Sequence, residues 1–311
     1  MSKAKMIAAV KLDTLRRPSA LWEYLSTTSP GPALPAALQQ AGVSGIELSC
    51  DIYGRPDEDN ERFKAIKQEI RRWQDLGFSV LLHPYAHSQA DPAAFTGPAS
   101  PAAATLQQMI DLVAGQVVAL TYHPAETYLE EAGFDPRPYR ARYLEASKAF
   151  FRYGWEYIEK SSLDVTLLCE TACPVVRADM VRLRSGDRPE EVQAILGGRK
   201  KGICLDTGHY LLAVRHLGAG DIPPFLAAVN HMHLHDVAAV GDHQPLSPTA
   251  TQVLTYFRLA VAAGGLKSYT LEYNLNKVVP EAEKEKPEVA VLNHLRETIT
   301  LLEQNRLQAE Q

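Results

Sequence analysis

The sequence predicts an α/β protein built as a parallel (β/α)8 TIM barrel, and three observations predict it. Eight short apolar runs alternate with longer amphipathic segments. Most of the short runs are near-continuous in Val, Ile, Leu and aromatic residues, as strands buried on both faces are. A His, Asp or Glu stands at the end of most of them, at the edge where a parallel barrel carries its site. An open doubly wound sheet is the alternative. It usually has fewer strands, and no G-x-G-x-x-G follows the first run here.

The elements follow in order. Met6–Leu12 is the first predicted strand, Leu34–Gln40 a short helix ending near Gly42, and Gly45–Cys50 the second strand. Asn60–Leu76 places Phe63, Ile66, Ile70 and Trp73 at three-to-four spacing and stops at Gly77, the pattern of an amphipathic helix with a glycine end. Strand Ser79–His83 leads into a loop, Ala86–Pro101, rich in Pro, Ala and Ser. Helix Ala102–Ala114 stops at Gly115, and strand Val117–His123 precedes a long helix, Pro138–Glu159, aromatic along one side. Strand Val165–Glu170 precedes helix Glu190–Leu196, which stops at Gly197 and Gly198. Strand Gly202–Asp206, helix Asp221–Val229 and strand His231–His235 come next. Helix Thr249–Ala263, strand Tyr269–Glu272 and helix Pro287–Gln304 complete the barrel, with a polar tail at about 304–311 expected to fray. Residues 1–311 read as one barrel domain.

Composition narrows the class. Lys and Arg number 32 against 37 Asp and Glu, a net charge of −5 that argues against a strongly basic nucleic-acid binder. No apolar run reaches the roughly 20 residues that a membrane span needs. Met1–Val10 lacks the apolar stretch and cleavage site of a signal peptide, so a cytoplasmic location is expected. Cys50, Cys169, Cys173 and Cys204 match neither a zinc ribbon nor a disulfide framework and read as buried thiols.

The strand ends carry the chemistry. His83 ends the third predicted strand, His123 the fourth, Glu170 the fifth, Asp206 the sixth and Glu272 the eighth. The seventh holds His231, His233 and His235 on one face, with the first deepest, and His243 follows it in a loop. His87 lies past its strand, and His216 and His294 stand apart. Imidazole and carboxylate converging on one rim is what a site for zinc, manganese, iron or cobalt requires. A Glu is almost never buried unless it is paired or bound to metal, which singles out Glu170 and Glu272 after their apolar runs. Lys11, Tyr85 and Tyr122 adjoin this rim and are candidate substrate contacts, with His235.

These residues resemble the xylose isomerase-like TIM-barrel superfamily, from about the second strand to the eighth. The most specific pieces are Leu205-Asp206-Thr207-Gly208-His209, His233-Leu234-His235-Asp236, Asp242-His243-Gln244-Pro245-Leu246 and Leu271-Glu272. The superfamily includes sugar isomerases and epimerases, inosose dehydratases, and the endonuclease IV type of apurinic endonuclease (AP endonuclease family 2). In its isomerase and epimerase version the resemblance implies one divalent metal on Glu170, Asp206, His233 and Glu272. The two Glu residues then move protons on a small sugar, sugar phosphate or polyol-derived ketone through a metal-stabilised enediolate. In its endonuclease version it implies up to three ions, with His83, His123, His209 and His243 as added ligands, and phosphoesterase chemistry. Dehydratase or lyase chemistry on the one-metal core is a third reading. Among the site histidines, His209 is also a candidate catalytic group. The endonuclease pattern is incomplete: Gly241 stands where its loop Asp is expected, Leu246-Ser247-Pro248 replaces Leu-Gly-x-Gly, and the first strand lacks a His-Val-Ser signature. A small-molecule substrate is therefore expected rather than nucleic acid. The oligomeric state is left open.

Overall fold

The structure is a computed structural model that describes residues 6–12, 33–129, 137–174, 181–238, 243–273 and 287–311. Its strands are β1 (Ile7–Leu12), β2 (Gly45–Ile52), β3 (Ser79–Ala86), β4 (Ala119–Tyr122), β5 (Glu126–Leu129), β6 (Thr166–Glu170), β7 (Val181–Arg184), β8 (Ile203–Asp206), β9 (Val229–Leu234) and β10 (Ser268–Leu271). All but β5 and β7 close into one parallel barrel, in the order β1-β2-β3-β4-β6-β8-β9-β10 and back to β1. The closing pair sets Ile7 opposite Ser268, which rules out an open doubly wound sheet.

Strand alternation sorts the barrel's side chains into two populations. Ala8, Val10, Ile46, Leu48, Val80, Leu82, Leu120, Leu167, Ile203, Leu205, Met232 and Leu234 point outward into one large apolar cluster shared with the helices. Trp73, Phe150 and Phe151 are fully buried in that layer, each worth about 1.5–3 kcal/mol of apolar burial. Ala9, Leu81, Ala119, Leu168 and Cys204 form a smaller cluster of their own inside the barrel. Polar side chains occupy inward positions toward the carboxyl ends of the strands, His83, Glu170, Asp206 and His233 among them.

The helices are α1 (Ala33–Gln40), α2 (Pro56–Asp75), α3 (Pro101–Val113), α4 (Arg137–Ser161), α5 (Pro189–Leu196), α6 (Thr207–Leu217), α7 (Thr251–Ala262) and α8 (Pro287–Ala309). Ser100 caps α3 by accepting from the Ala103 amide, with Pro101 in the first turn where its missing N–H costs nothing. The helix expected at Asp221–Val229 is absent. A 3-10 turn at Leu226–Ala228 leads into β9 instead. Pro223 and Pro224 explain this, since each removes a donor and disfavours helix in the residue before it. The helix after β8 is α6, which begins without any intervening loop. The polar tail is helical as far as Ala309: Asn305 is buried and donates to the Leu301 carbonyl, and Arg306 pairs with Glu303 and Glu310. Among the described residues, no helix is long and apolar enough to cross a membrane.

Outside the barrel, β5 and β7 form an antiparallel ribbon that joins the segments following β4 and β6. Arg184 reaches Glu126 at 2.5 Å, and Ser185 donates its amide to the Ala125 carbonyl at 3.1 Å. Ser147 on α4 ties both sides down, accepting from the Ala125 amide and sharing a hydrogen bond with Ser185.

Candidate metal centre

The carboxyl ends of the strands and the segments that follow them bring nine of the predicted side chains together. Glu170 and Asp206 are the last residues of β6 and β8, His233 lies one from the end of β9, and Glu272 follows β10 directly. Register aligns Asp206 with His233 across β8 and β9. Glu170, Asp206, His233 and Glu272 each offer a ligand atom, and those atoms lie within 4.8 Å of one another. His83, His123 and Glu170 make a second such group, and Asp206, His209, His235 and His243 a third. Glu170 and Asp206 thus belong to two groups each.

Local geometry explains the third group. Asp206 is the N-cap of α6, its Oδ1 accepting from the His209 amide at 2.7 Å. That cap brings the imidazole three residues on back over the strand end, with Nδ1 3.6 Å from Asp206 Oδ2 and 2.8 Å from the Thr171 carbonyl. His235 lies 2.9 Å from Asp206 Oδ1 and stacks on His243, with ring centroids 4.3 Å apart. It therefore falls within a group of side chains that could hold an ion, as well as being a predicted substrate contact. Gly208 makes room for it: a Cβ there would meet His235 Cε1 at 1.9 Å. His243 has φ +52, a left-handed conformation unusual for a non-glycine residue.

The other groups are equally close-set. His83 Nε2 and His123 Nε2 each lie 3.1 Å from Glu170 Oε2, and His233 Nδ1 lies 2.5 Å from Glu272 Oε2 and 3.5 Å from Glu170 Oε1. Burial opposes charge on Glu170, yet His123, His233 and His83 hold its carboxyl well below the usual range. Glu272 is likewise held low against burial, chiefly by His233 and then Lys11. Burial pushes His83 down to about 4, so this imidazole is neutral and has a free lone pair. Burial pushes the Cys204 thiol up, which keeps it from acting as a thiolate beside His231 and His233.

Several of these buried atoms make no hydrogen bond: both oxygens of Glu170, both ring nitrogens of His83, His233 Nδ1 and Glu272 Oε2. Buried polar atoms are ordinarily satisfied. Two ligands of one ion at about 2.0–2.2 Å stand roughly 3–3.5 Å apart, so contacts close in distance but unaligned as hydrogen bonds suit a shared cation. The donor set fits a divalent metal.

Lys11 and Tyr85 stand at the mouth. Lys11 Nζ contacts Glu272 Oε1 and donates to Tyr85 Oη at 2.7 Å, and Tyr85 stacks on His83 with centroids 4.8 Å apart. Tyr122 corrects the expectation. It is the last residue of β4, where alternation turns it outward against Phe150. His87 pairs with Asp51 and stacks on Tyr53, away from the centre. His231 lies deepest, bonded to Ser268 and Thr270. Asp242 and Gly241 lie outside the described residues.

One residue was missed. Glu47, fully buried on β2, faces inward with Oε1 3.0 Å from His233 Nε2 and Oε2 3.5 Å from His231 Nε2. Its signal was a lone carboxylate within the apolar run Ile46-Glu47-Leu48.

No family model and no curated protein matches the sequence. Solved structures do match in fold. Mannonate dehydratase from Streptococcus suis superposes with a TM-score of 0.61 at 14% identity, covering 98% of this chain and 96% of that one. A xylose isomerase domain-containing protein of Salmonella typhimurium gives 0.56 at 14%, covering 97% and 99%. D-Psicose 3-epimerase of Clostridium cellulolyticum, solved with D-tagatose, gives 0.55 at 11%, covering 96% and 98%. The chain has the xylose isomerase-like (β/α)8 barrel fold.

Proposed function

We propose that the protein is a divalent-metal-dependent isomerase or epimerase of a small sugar, sugar phosphate or polyol-derived ketone. The observation that carries this is the convergence of Glu170, Asp206, His233 and Glu272, with two glutamates brought in by well-separated strands, β6 and β10. These four would hold the ion, which when bound supplies polarisation of a carbonyl and its neighbouring hydroxyl. Glu170 and Glu272 face a common space, so one carboxylate can take a proton from carbon and the other can return one at the next carbon or on the opposite face. Lys11 and Tyr85 border the same space and would orient substrate oxygens. His83 and His123 wall the side toward β3 and β4.

A phosphoesterase is the second reading, favoured by the two flanking ligand groups that share Glu170 and Asp206 with the first. Further ions there would stabilise charge on a phosphodiester.

Elemental analysis of protein purified without chelator separates the two readings. About one manganese, cobalt, iron or zinc per chain, together with solvent deuterium entering a ketose or sugar phosphate, supports the isomerase. Two or three ions and hydrolysis of a small phosphodiester, with no exchange into any sugar, replaces it with the esterase. Absence of metal after reconstitution removes both.

A further inference from the structure

We infer that Glu47 is a positioning residue that fixes the tautomer and orientation of His233 toward the metal centre. The inference rests on the metal reading above and adds a residue outside its ligand set.

Glu47 and His233 are both fully buried inside the barrel. Burying a carboxylate inside a barrel is costly unless it is bonded. Glu47 Oε1 accepts from His233 Nε2–H at 3.0 Å. A proton on Nε2 leaves Nδ1 with its lone pair, and Nδ1 is the nitrogen that meets Glu272, Glu170 and Asp206 at 2.5, 3.5 and 3.8 Å. Three carboxylates around Nδ1 require a positive partner there, a proton in the metal-free protein and the cation in the loaded one. Glu47 thus turns toward the centre the one ring nitrogen that can ligate.

Glu47 is itself held from behind. Its Oε2 lies 3.5 Å from His231 Nε2, and His231 is fixed through Nδ1 by Ser268 Oγ at 2.8 Å and through Nε2 by Thr270 Oγ1 at 3.2 Å. Ser268, His231, Glu47 and His233 form a buried chain from β10 to β9 to β2 and back to β9. His83 Nδ1 lies 3.7 Å from Glu47 Oε1, so the same carboxylate backs an imidazole of a second ligand group. A carboxylate behind a ligating histidine orients the ring and raises its basicity, and losing one typically costs 10- to 100-fold in metal affinity.

The test compares Mn2+ binding by calorimetry for the wild type, Glu47→Ala and Glu47→Gln, with tautomers read by long-range 1H–15N correlation in the Zn2+-loaded wild type. The expected result is about 10- to 100-fold weaker Mn2+ binding for Glu47→Ala. Glu47→Gln should recover most of it, because its amide oxygen still accepts from Nε2–H. His233 should show Nε2 protonated and Nδ1 bound to metal. Wild-type affinity in Glu47→Ala overturns the inference, as does metal on Nε2. Should Glu47→Ala fail to fold, the tautomer and the Gln variant decide: a Gln variant as weak as one lacking His233 overturns it. A wild type that binds no metal sinks the proposed function instead, so the two failures are distinct.

Discussion

Lys11→Met tests whether the charge at the barrel mouth is arranged for a metal. Lys11 and Glu272 keep only 12% and 6% of their side chains exposed, so their ion pair is nearly buried. Burial lowers the Lys11 pKa, but Glu272, Tyr85, Glu47 and Glu170 together raise it well above normal. Methionine keeps most of the apolar stem and removes only the charge. Breaking a buried pair by deleting one partner costs about 3–5 kcal/mol. The low end applies here, since His233 still faces the other oxygen of Glu272 at 2.5 Å. For a chain of 311 residues, an unfolding entropy of about 2 cal/mol/K per residue turns roughly 3 kcal/mol into a fall of about 4–5 °C in Tm. The metal-loaded protein should lose less, because a cation on Glu272 replaces the missing charge. The assay is urea and thermal unfolding of wild type and variant, each with chelator and with saturating Mn2+. An equal loss in both forms, or none in the chelated form, would refute the reasoning.

Other outcomes follow from the same geometry. Glu170→Ala, Asp206→Ala and Glu272→Ala should each abolish turnover and lower bound metal with the far-UV circular dichroism unchanged, and retained turnover in any of them contradicts the site. Gly208→Ala should displace His235 from Asp206 and His243, because the new methyl would lie 1.9 Å from its ring; a crystal structure of the variant with His235 unmoved would contradict this. Tyr122→Phe should leave metal affinity unchanged and the unfolding free energy within about 1 kcal/mol of wild type by urea titration, since it deletes a buried hydroxyl that makes no hydrogen bond. Burial, with Glu126 nearby, pushes the Asp91 carboxyl up to about 7. Its folded pKa lies above its unfolded one, so the folded state holds the proton longer and stability falls as pH rises from about 4 to 7. Asp91→Asn keeps an acceptor for the Ala93 amide and should gain on wild type at pH 8 but not at pH 4, as read by urea midpoints; a pH-independent difference would sink that assignment.

Much of the fold and site was legible in the sequence, for reasons that particular residues make plain. Buried parallel strands need apolar side chains outward, and the runs around Ile46, Val80, Leu167 and Leu205 show it. Candidate ligands at strand ends are legible because each interrupts such a run at its carboxyl edge, as Glu170 and Asp206 do. Glu47 was hidden because it sits in mid-strand, where a single charge in an alternating run reads as solvent-facing; only barrel closure turns that face inward. Tyr122 was misplaced by proximity in sequence to His123, although alternation along β4 turns it outward. Helix α6 was hidden because Thr207-Gly208-His209 carries no helix-forming bias, and Asp206 acts as both strand end and cap. The ribbon of β5 and β7 rests on pairing between segments more than 50 residues apart, which no local pattern records.

That ribbon changes what can be exchanged on this scaffold. The loops of such a barrel are ordinarily separate modules, each replaceable without regard to its neighbours. Here the segments after β4 and β6 are stitched by a backbone ladder, by Arg184 with Glu126, and by Ser147 beneath them. They leave the strands that deliver His123 and Glu170. Grafting either segment alone would strand the other's unpaired amides and carbonyls, so the two must be inherited or transplanted as one cassette.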